Sequence, residues 1–190
     1  MKKRILVLAV LALLAGKISA TTITVSNDAL GGAQYSTLTA AYTAASSAND
    51  TILIEGTNTV YAVPASWAKS LVIIGIGFDP SKANPRTTKL NGLTLSASGN
   101  GSKFYGIEFT QAVNQNTAIS NYAFEDCRFN ASLDINANTN IFTFKNCIFL
   151  SYLNFYGGTL SNFLFNSCIF NSYIYGGNIT TNTPGWLTVD

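Results

Sequence analysis

The phrase Phe-x-x-Cys-x-Phe occurs three times in the second half of this chain, at Phe124–Phe129, Phe144–Phe149 and Phe165–Phe170, about twenty residues apart. A fixed period of that length means one structural unit is repeated and stacked, because a single unit cannot bury its apolar face alone. Around these phrases the apolar residues alternate in pairs, which is strand periodicity. The chain therefore reads as a β-solenoid with three short strands per coil.

Three registers run through the coils. The first strand carries Leu93/Leu95, Val113/Gln115, Leu133/Ile135, Leu153/Phe155 and Tyr173/Tyr175 as inward pairs. The second carries Leu71/Ile73, Ser102/Phe104, Tyr122/Phe124, Phe142/Phe144 and Phe163/Phe165, with Leu187/Val189 beginning another coil. The third carries Ile76/Phe78, Ile107/Phe109, Cys127/Phe129, Cys147/Phe149 and Cys168/Phe170. Between the second and third strands a two-residue corner places Gly75, Gly106, Asp126, Asn146 and Ser167 in one column. Gly, Asn and Asp tolerate the left-handed backbone that so sharp a bend needs, and stacked corner side chains can bond along the axis. Glu108 and Arg128 are equivalent in adjacent coils, as are Glu125 and Lys145, so opposite charges face each other about 4.8 Å apart.

Cys127, Cys147 and Cys168 share one inward position, so they are expected as a ladder of inert thiols rather than a disulfide or metal site. Buried cysteine packs as a small hydrophobe, whereas a metal wants several kinds of converging ligand. About five coils make a body roughly 25 Å long.

The ends differ from the middle. Met1–Arg4 is basic, Ile5–Leu14 is apolar, and Ile18-Ser19-Ala20 offers a small-residue cleavage site, so residues 1–20 read as a secretory signal peptide with Thr21 as the mature start. The apolar run is too short to span a bilayer. Residues 21–50 read as an N-terminal cap. It consists of the strand Thr22–Val25 and a short helix over Tyr35–Ala45, with Ser36 as its N-cap. Residues 51–190 then form the solenoid, with 79–89 as an insertion between coils. The last strand stops in mid-coil, which predicts a longer natural chain, or self-association through an uncapped C-terminal coil.

Cleavage changes the charge. The formal value of +2 includes Lys2, Lys3, Arg4 and Lys17; without them seven Lys and Arg face nine Asp and Glu, a net −2. No basic patch argues for nucleic acid. There is no histidine, which removes the commonest general base and transition-metal ligand.

The capping segment Tyr35–Ala45 followed by Asn49–Ile54, the early coil Leu71-Val-Ile-Ile-Gly-Ile-Gly-Phe78-Asp-Pro80, and the Phe-Lys-Asn-Cys-Ile-Phe phrase resemble the pectin-lyase-like superfamily. The resemblance covers nearly all of the mature chain. It implies an all-β, right-handed parallel β-helix with a short N-terminal capping helix, and a secreted or cell-surface, bacterial-type protein. It also implies a substrate cleft along the outer face of the first strands. Outward residues there are Thr94, Asn114, Asp134, Asn154 and Ile174, flanked by Asn116, Asn136, Tyr152 and Tyr156. The candidate saccharide-binding face is thus Asn114, Asp134, Asn136, Tyr152, Asn154 and Tyr156, set against an ordinary soluble sheet face.

Catalysis is harder to support. A glycosidase uses two carboxylates, and calcium wants several, but Asp134 is the one carboxylate of this face. Arg86 and Lys89, on the loop before the first strand, could reach its edge. No catalytic, metal or cofactor site is expected. Two functions remain open. One is a structural, adhesive or polysaccharide-binding protein with a polysaccharide or cell-surface glycan as partner. The other is the N-terminal part of a polysaccharide lyase or glycoside hydrolase.

Overall fold

Every pairing between the described strands runs parallel, and each strand pairs with its equivalent one coil away. The computed structural model describes residues 20–29, 31–46, 48–77, 86–181 and 187–189, with backbone alone for 178–181 and 187–189. Together they form a parallel β-solenoid of about six turns, one more than the sequence suggests. The signal-peptide reading lies outside the described residues, apart from Ala20.

The core is an aromatic stack whose spacing is set by the coil rise. Phe104, Phe124, Phe144 and Phe165 lie ring over ring at 5.0, 5.3 and 4.8 Å, with interplanar angles of 8° or less. Phe109, Phe129, Phe149 and Phe170 form a second ladder at 5.1, 4.7 and 5.0 Å. The ladders meet edge to face, at 5.4 Å and 70° between Phe144 and Phe149. Parallel strands fix the first distance near 4.8 Å, and each well-placed pair contributes about 0.5–1.5 kcal/mol beyond area burial.

Two polar residues that the alternation points inward are indeed buried. Ser102 occupies the level that Tyr122, Phe142 and Phe163 fill in later coils, because Trp67 takes the room. The Trp67 indole is buried and donates to Ser102 Oγ at 3.0 Å, and its ring lies 5.2 Å from Phe104. Gln115 is the other, fully enclosed in the first wall.

The first turn of the third wall departs from the sequence reading. Ile76 is 58% exposed rather than inward, and Phe78 lies outside the described residues. The strand stacked on Glu108–Phe109 is Lys89–Leu90, with Leu90 opposite Phe109, so the inward pair is Thr88/Leu90. The insertion therefore interrupts a coil between its second and third walls. Thr88 takes the seat because it satisfies buried backbone: its hydroxyl donates to Ile54 O at 3.0 Å and accepts from Ile76 N at 3.1 Å. An isoleucine there would leave both groups short.

The last coil slips by one residue. Leu153 pairs with Ile174 and Asn154 with Tyr175, so Tyr173 and Tyr175 point outward, not inward. The chain gains a residue in the preceding coil, where Phe142 pairs with Phe163, and the twenty-one-residue step persists. A slip of one exchanges the two faces of a strand.

At the corners Gly106, Asp126, Asn146 and Ser167 hold left-handed φ values of 52–63°. Gly75 does not, although its N–H bonds Tyr105 O as Gly106 N bonds Glu125 O; the positive φ has moved to Gly77, where the chain leaves for the insertion. Asn146 Nδ2 donates to Asp126 Oδ1 at 3.2 Å along the axis. Lys145 reaches Glu125 at 2.5 Å, and this bond raises the lysine's pKa. Glu108 and Arg128 stand opposite each other in register.

A second left-handed column was not legible in the sequence: Asn121, Ile141 and Asn162, with φ of 59°, 57° and 56°. It bends the long strands Ile119–Glu125, Thr139–Lys145 and Leu153–Asn166. Ile141 is β-branched and 42% exposed, so it bears the strain with little burial in return. Left-handed backbone costs an ordinary residue about 1–2 kcal/mol. Ile141→Asn, matching its neighbours, is therefore expected to stabilise by about 1 kcal/mol, read as a higher urea midpoint. A lower midpoint would contradict it.

The helix spans Leu38–Ala44 and buries Leu38, Ala41 and Tyr42 in the core. Its N-cap is Thr37 rather than Ser36, with the hydroxyl accepting from Ala40 N. Lys69 closes the other end, donating to the carbonyls of Tyr42, Thr43 and Ala45 at 2.7, 3.1 and 2.6 Å. So short a helix depends on such contacts. Thr22–Val25 is itself a solenoid strand, paired with Thr51–Ile54.

Candidate functional site

The outer face of the first wall is one column of stacked side chains: Thr94, Asn114, Asp134, Asn154 and Tyr175. Alternation places them outward because their neighbours Leu93, Val113, Leu133 and Leu153 enter the core. Asp134 is held from two sides, by Asn154 Nδ2 at 2.6 Å and Ser132 Oγ at 2.8 Å. Beside this column Asn136 Nδ2 donates to Asn116 Oδ1 at 2.8 Å. Asn114 is half-buried and Asn136 exposed, whereas Asn154 is only 6% exposed.

Tyrosines gather beside Asn154. Tyr152, Tyr156, Tyr173 and Tyr175 are all exposed, from 44% to 68%. Tyr152 lies 6.4 Å from Tyr173, nearly parallel, and 5.4 Å from Tyr175. Tyr173 and Tyr175 are 6.0 Å apart. Tyr152, Asn154, Tyr156, Tyr175, Gly176 and Gly177 line a groove of about 540 Å³. Gly177 lets the last coil sit close: a Cβ there would stand 2.9 Å from Phe155 O.

Sequence reasoning found Tyr152 and Tyr156 but placed Tyr173 and Tyr175 indoors. The signal that could have found them is the twenty-one-residue step from Cys147 to Cys168. Carried into the next first-wall strand, it sets Ile174 on Leu153 and turns both tyrosines out. The same slip moves Ile174 from the outward row to the position stacked on Leu153.

Arg86 and Lys89 are not on this face. Arg86 pairs with Asp28 at 2.8 Å, and Lys89 lies in the third wall opposite Glu108. Among the described residues, no three of His, Cys, Asp and Glu converge so as to hold a metal. No described helix is long and apolar enough to cross a membrane.

The thiols occupy one column of the third wall, linked by backbone bonds from Ile148 N to Cys127 O and from Ile169 N to Cys147 O. All three are free; Cys127 and Cys147 are buried and Cys168 is half-buried. Cys147 Sγ donates to Phe124 O and Lys145 O at 3.4 Å. Burial pushes the Cys147 pKa well above its ordinary range. Cys168 is raised first by its bond to Cys147 and then by burial. Thiols so placed form little thiolate, which is the reactive species.

The fold and this face together define a parallel β-solenoid that displays a tyrosine-rich groove on one wall. Comparison with protein-family models, with curated proteins and with solved structures finds no match to this chain.

Proposed function

We propose that this chain is a secreted or cell-surface β-solenoid of the pectin-lyase-like type that binds a polysaccharide or cell-surface glycan and does not cleave it. The observation that carries this reading is the cluster of four exposed tyrosines around the Asp134–Asn154 pair. Tyrosine rings offer flat apolar faces with a polar tip, which suits the C–H face of a sugar. Carboxylate and amide oxygens beside them accept from sugar hydroxyls, and the Asn136 amide both donates and accepts. The carboxylate favours a neutral glycan, since a uronate would meet like charge. The alternative is the N-terminal part of a polysaccharide lyase or glycoside hydrolase; a glycosidase uses two carboxylates, and among the described residues of this wall Asp134 supplies one, so that reading needs further acids from chain beyond residue 190.

Retention on an array of neutral and acidic polysaccharides tests the proposal. The double variant Tyr152→Ala/Tyr175→Ala is expected to lose at least about tenfold in apparent affinity, as two stacking contacts of roughly 0.7 kcal/mol or more each would imply. Its circular dichroism should not change, because both rings are outside the core. Equal retention of variant and parent would reject the site. Binding confined to acidic chains would reject the neutral-glycan assignment.

A further inference from the structure

We infer that the peptide bond between Ala20 and Thr21 is a processing site, and that the α-ammonium released by its hydrolysis is held by the buried carboxylate of Asp50.

Asp50 is completely buried, at the end of a turn whose preceding residue, Asn49, is left-handed. Oδ1 accepts the Thr21 N–H at 2.8 Å and Oδ2 accepts the Ser46 N–H at 2.9 Å. Thr21 is clamped from its other side as well, since its carbonyl accepts from Thr51 N at 2.8 Å. The solenoid's first strand begins one residue later, at Thr22. Ala20 and Thr21 are exposed, so a peptidase can reach the bond between them. The sequence before it has a basic start, an apolar stretch and small residues at its end, the pattern a signal peptidase reads.

The chemistry is hydrolysis. Water adds across the Ala20–Thr21 bond, Ala20 departs with the new carboxylate, and Thr21 keeps the nitrogen, which takes up a proton. A neutral amide facing a buried carboxylate thereby becomes a cation at the same place. The bond from Thr21 N–H to Asp50 Oδ1 is there before cleavage; hydrolysis adds a full positive charge to its donor and so adds the attraction of an ion pair to that bond. Removal of the leader thus tightens the N-terminal end of the solenoid. The inference is independent of the glycan face.

The test uses the full chain, exported with its leader, and then the mature protein. N-terminal sequencing of the exported product is expected to begin at Thr21; another start overturns the processing site. Melting midpoints are then compared for protein beginning at Thr21 and protein retaining residues before it, each with Asp50 and with Asp50→Asn. The Thr21 form is expected to melt roughly 3–6 °C higher, and the gap should vanish in Asp50→Asn. No gap with Asp50 intact, or a gap that survives Asp50→Asn, overturns the contact. If Asp50→Asn does not fold, Nα-acetylation of the Thr21 form makes the same comparison. It should lower the midpoint by a similar amount, and an unchanged midpoint overturns the inference.

Discussion

Phe144→Ala is expected to cost about 3–5 kcal/mol of folding stability. Phe144 is fully buried and lies between Phe124 and Phe165 in its own ladder, edge-on to Phe149 at 5.4 Å. Truncation removes the transfer energy of the ring and leaves a cavity. The strands on either side cannot collapse into it, because their spacing is held by backbone bonds in both directions. The loss would consume much of the 5–15 kcal/mol typical of a folded domain. It should also uncouple neighbouring coils, since a solenoid's stability is a sum of unit and interface contributions. Urea unfolding followed by circular dichroism reads the effect, with Phe144→Leu as the milder comparison. A loss below about 1 kcal/mol would mean that the ladder is not close-packed.

Gln115→Leu is expected to destabilise by about 1–3 kcal/mol, although it puts an apolar residue in an apolar wall. The Gln115 side chain closes the bend that follows the first wall. Its Nε2 donates to Thr117 O and Asn138 O, and its Oε1 accepts from Asn136 N and Ala137 N. Asn136 N and Asn138 O keep other backbone partners, Gln115 O and Ile119 N. Ala137 N depends on the amide, so leucine would orphan a donor, whereas Thr117 is exposed and its carbonyl can turn to water. Each buried unsatisfied group costs about 1–3 kcal/mol. Urea midpoints measure the loss, and faster hydrogen exchange at Ala137 would locate it. A leucine variant as stable as the parent would show that water replaces the amide.

Both substituted residues were placed correctly from the sequence, and for one reason. Strand parity alternates strictly, and equivalent residues recur at a nearly constant step, so even a polar residue such as Gln115 or Ser102 is carried inward by its neighbours. The candidate face was partly legible on the same grounds. Asn114, Asp134 and Asn154 form one column because Val113, Leu133 and Leu153 do.

The failures have their own physical causes. Ile76-x-Phe78 has the spacing of a third-wall pair, but spacing does not record which hydroxyl can satisfy Ile54 O and Ile76 N. Tyr173 and Tyr175 have acceptable parity until one added residue upstream is followed through the coil. Ile141 in a left-handed bend contradicts its own propensity and is held there by stacking between Asn121 and Asn162.

By itself, then, the sequence determined the repeating unit, the parallel stacking, the aromatic interior and the shared column of the three cysteines. Those follow from periodicity, which is local and reinforced at every coil. Only the tertiary structure decided where the insertion breaks a coil, that four tyrosines share one outer face, and that Asp50 closes over Thr21. Those depend on buried hydrogen bonds and one-residue slips between segments distant in the chain, and no local pattern records them.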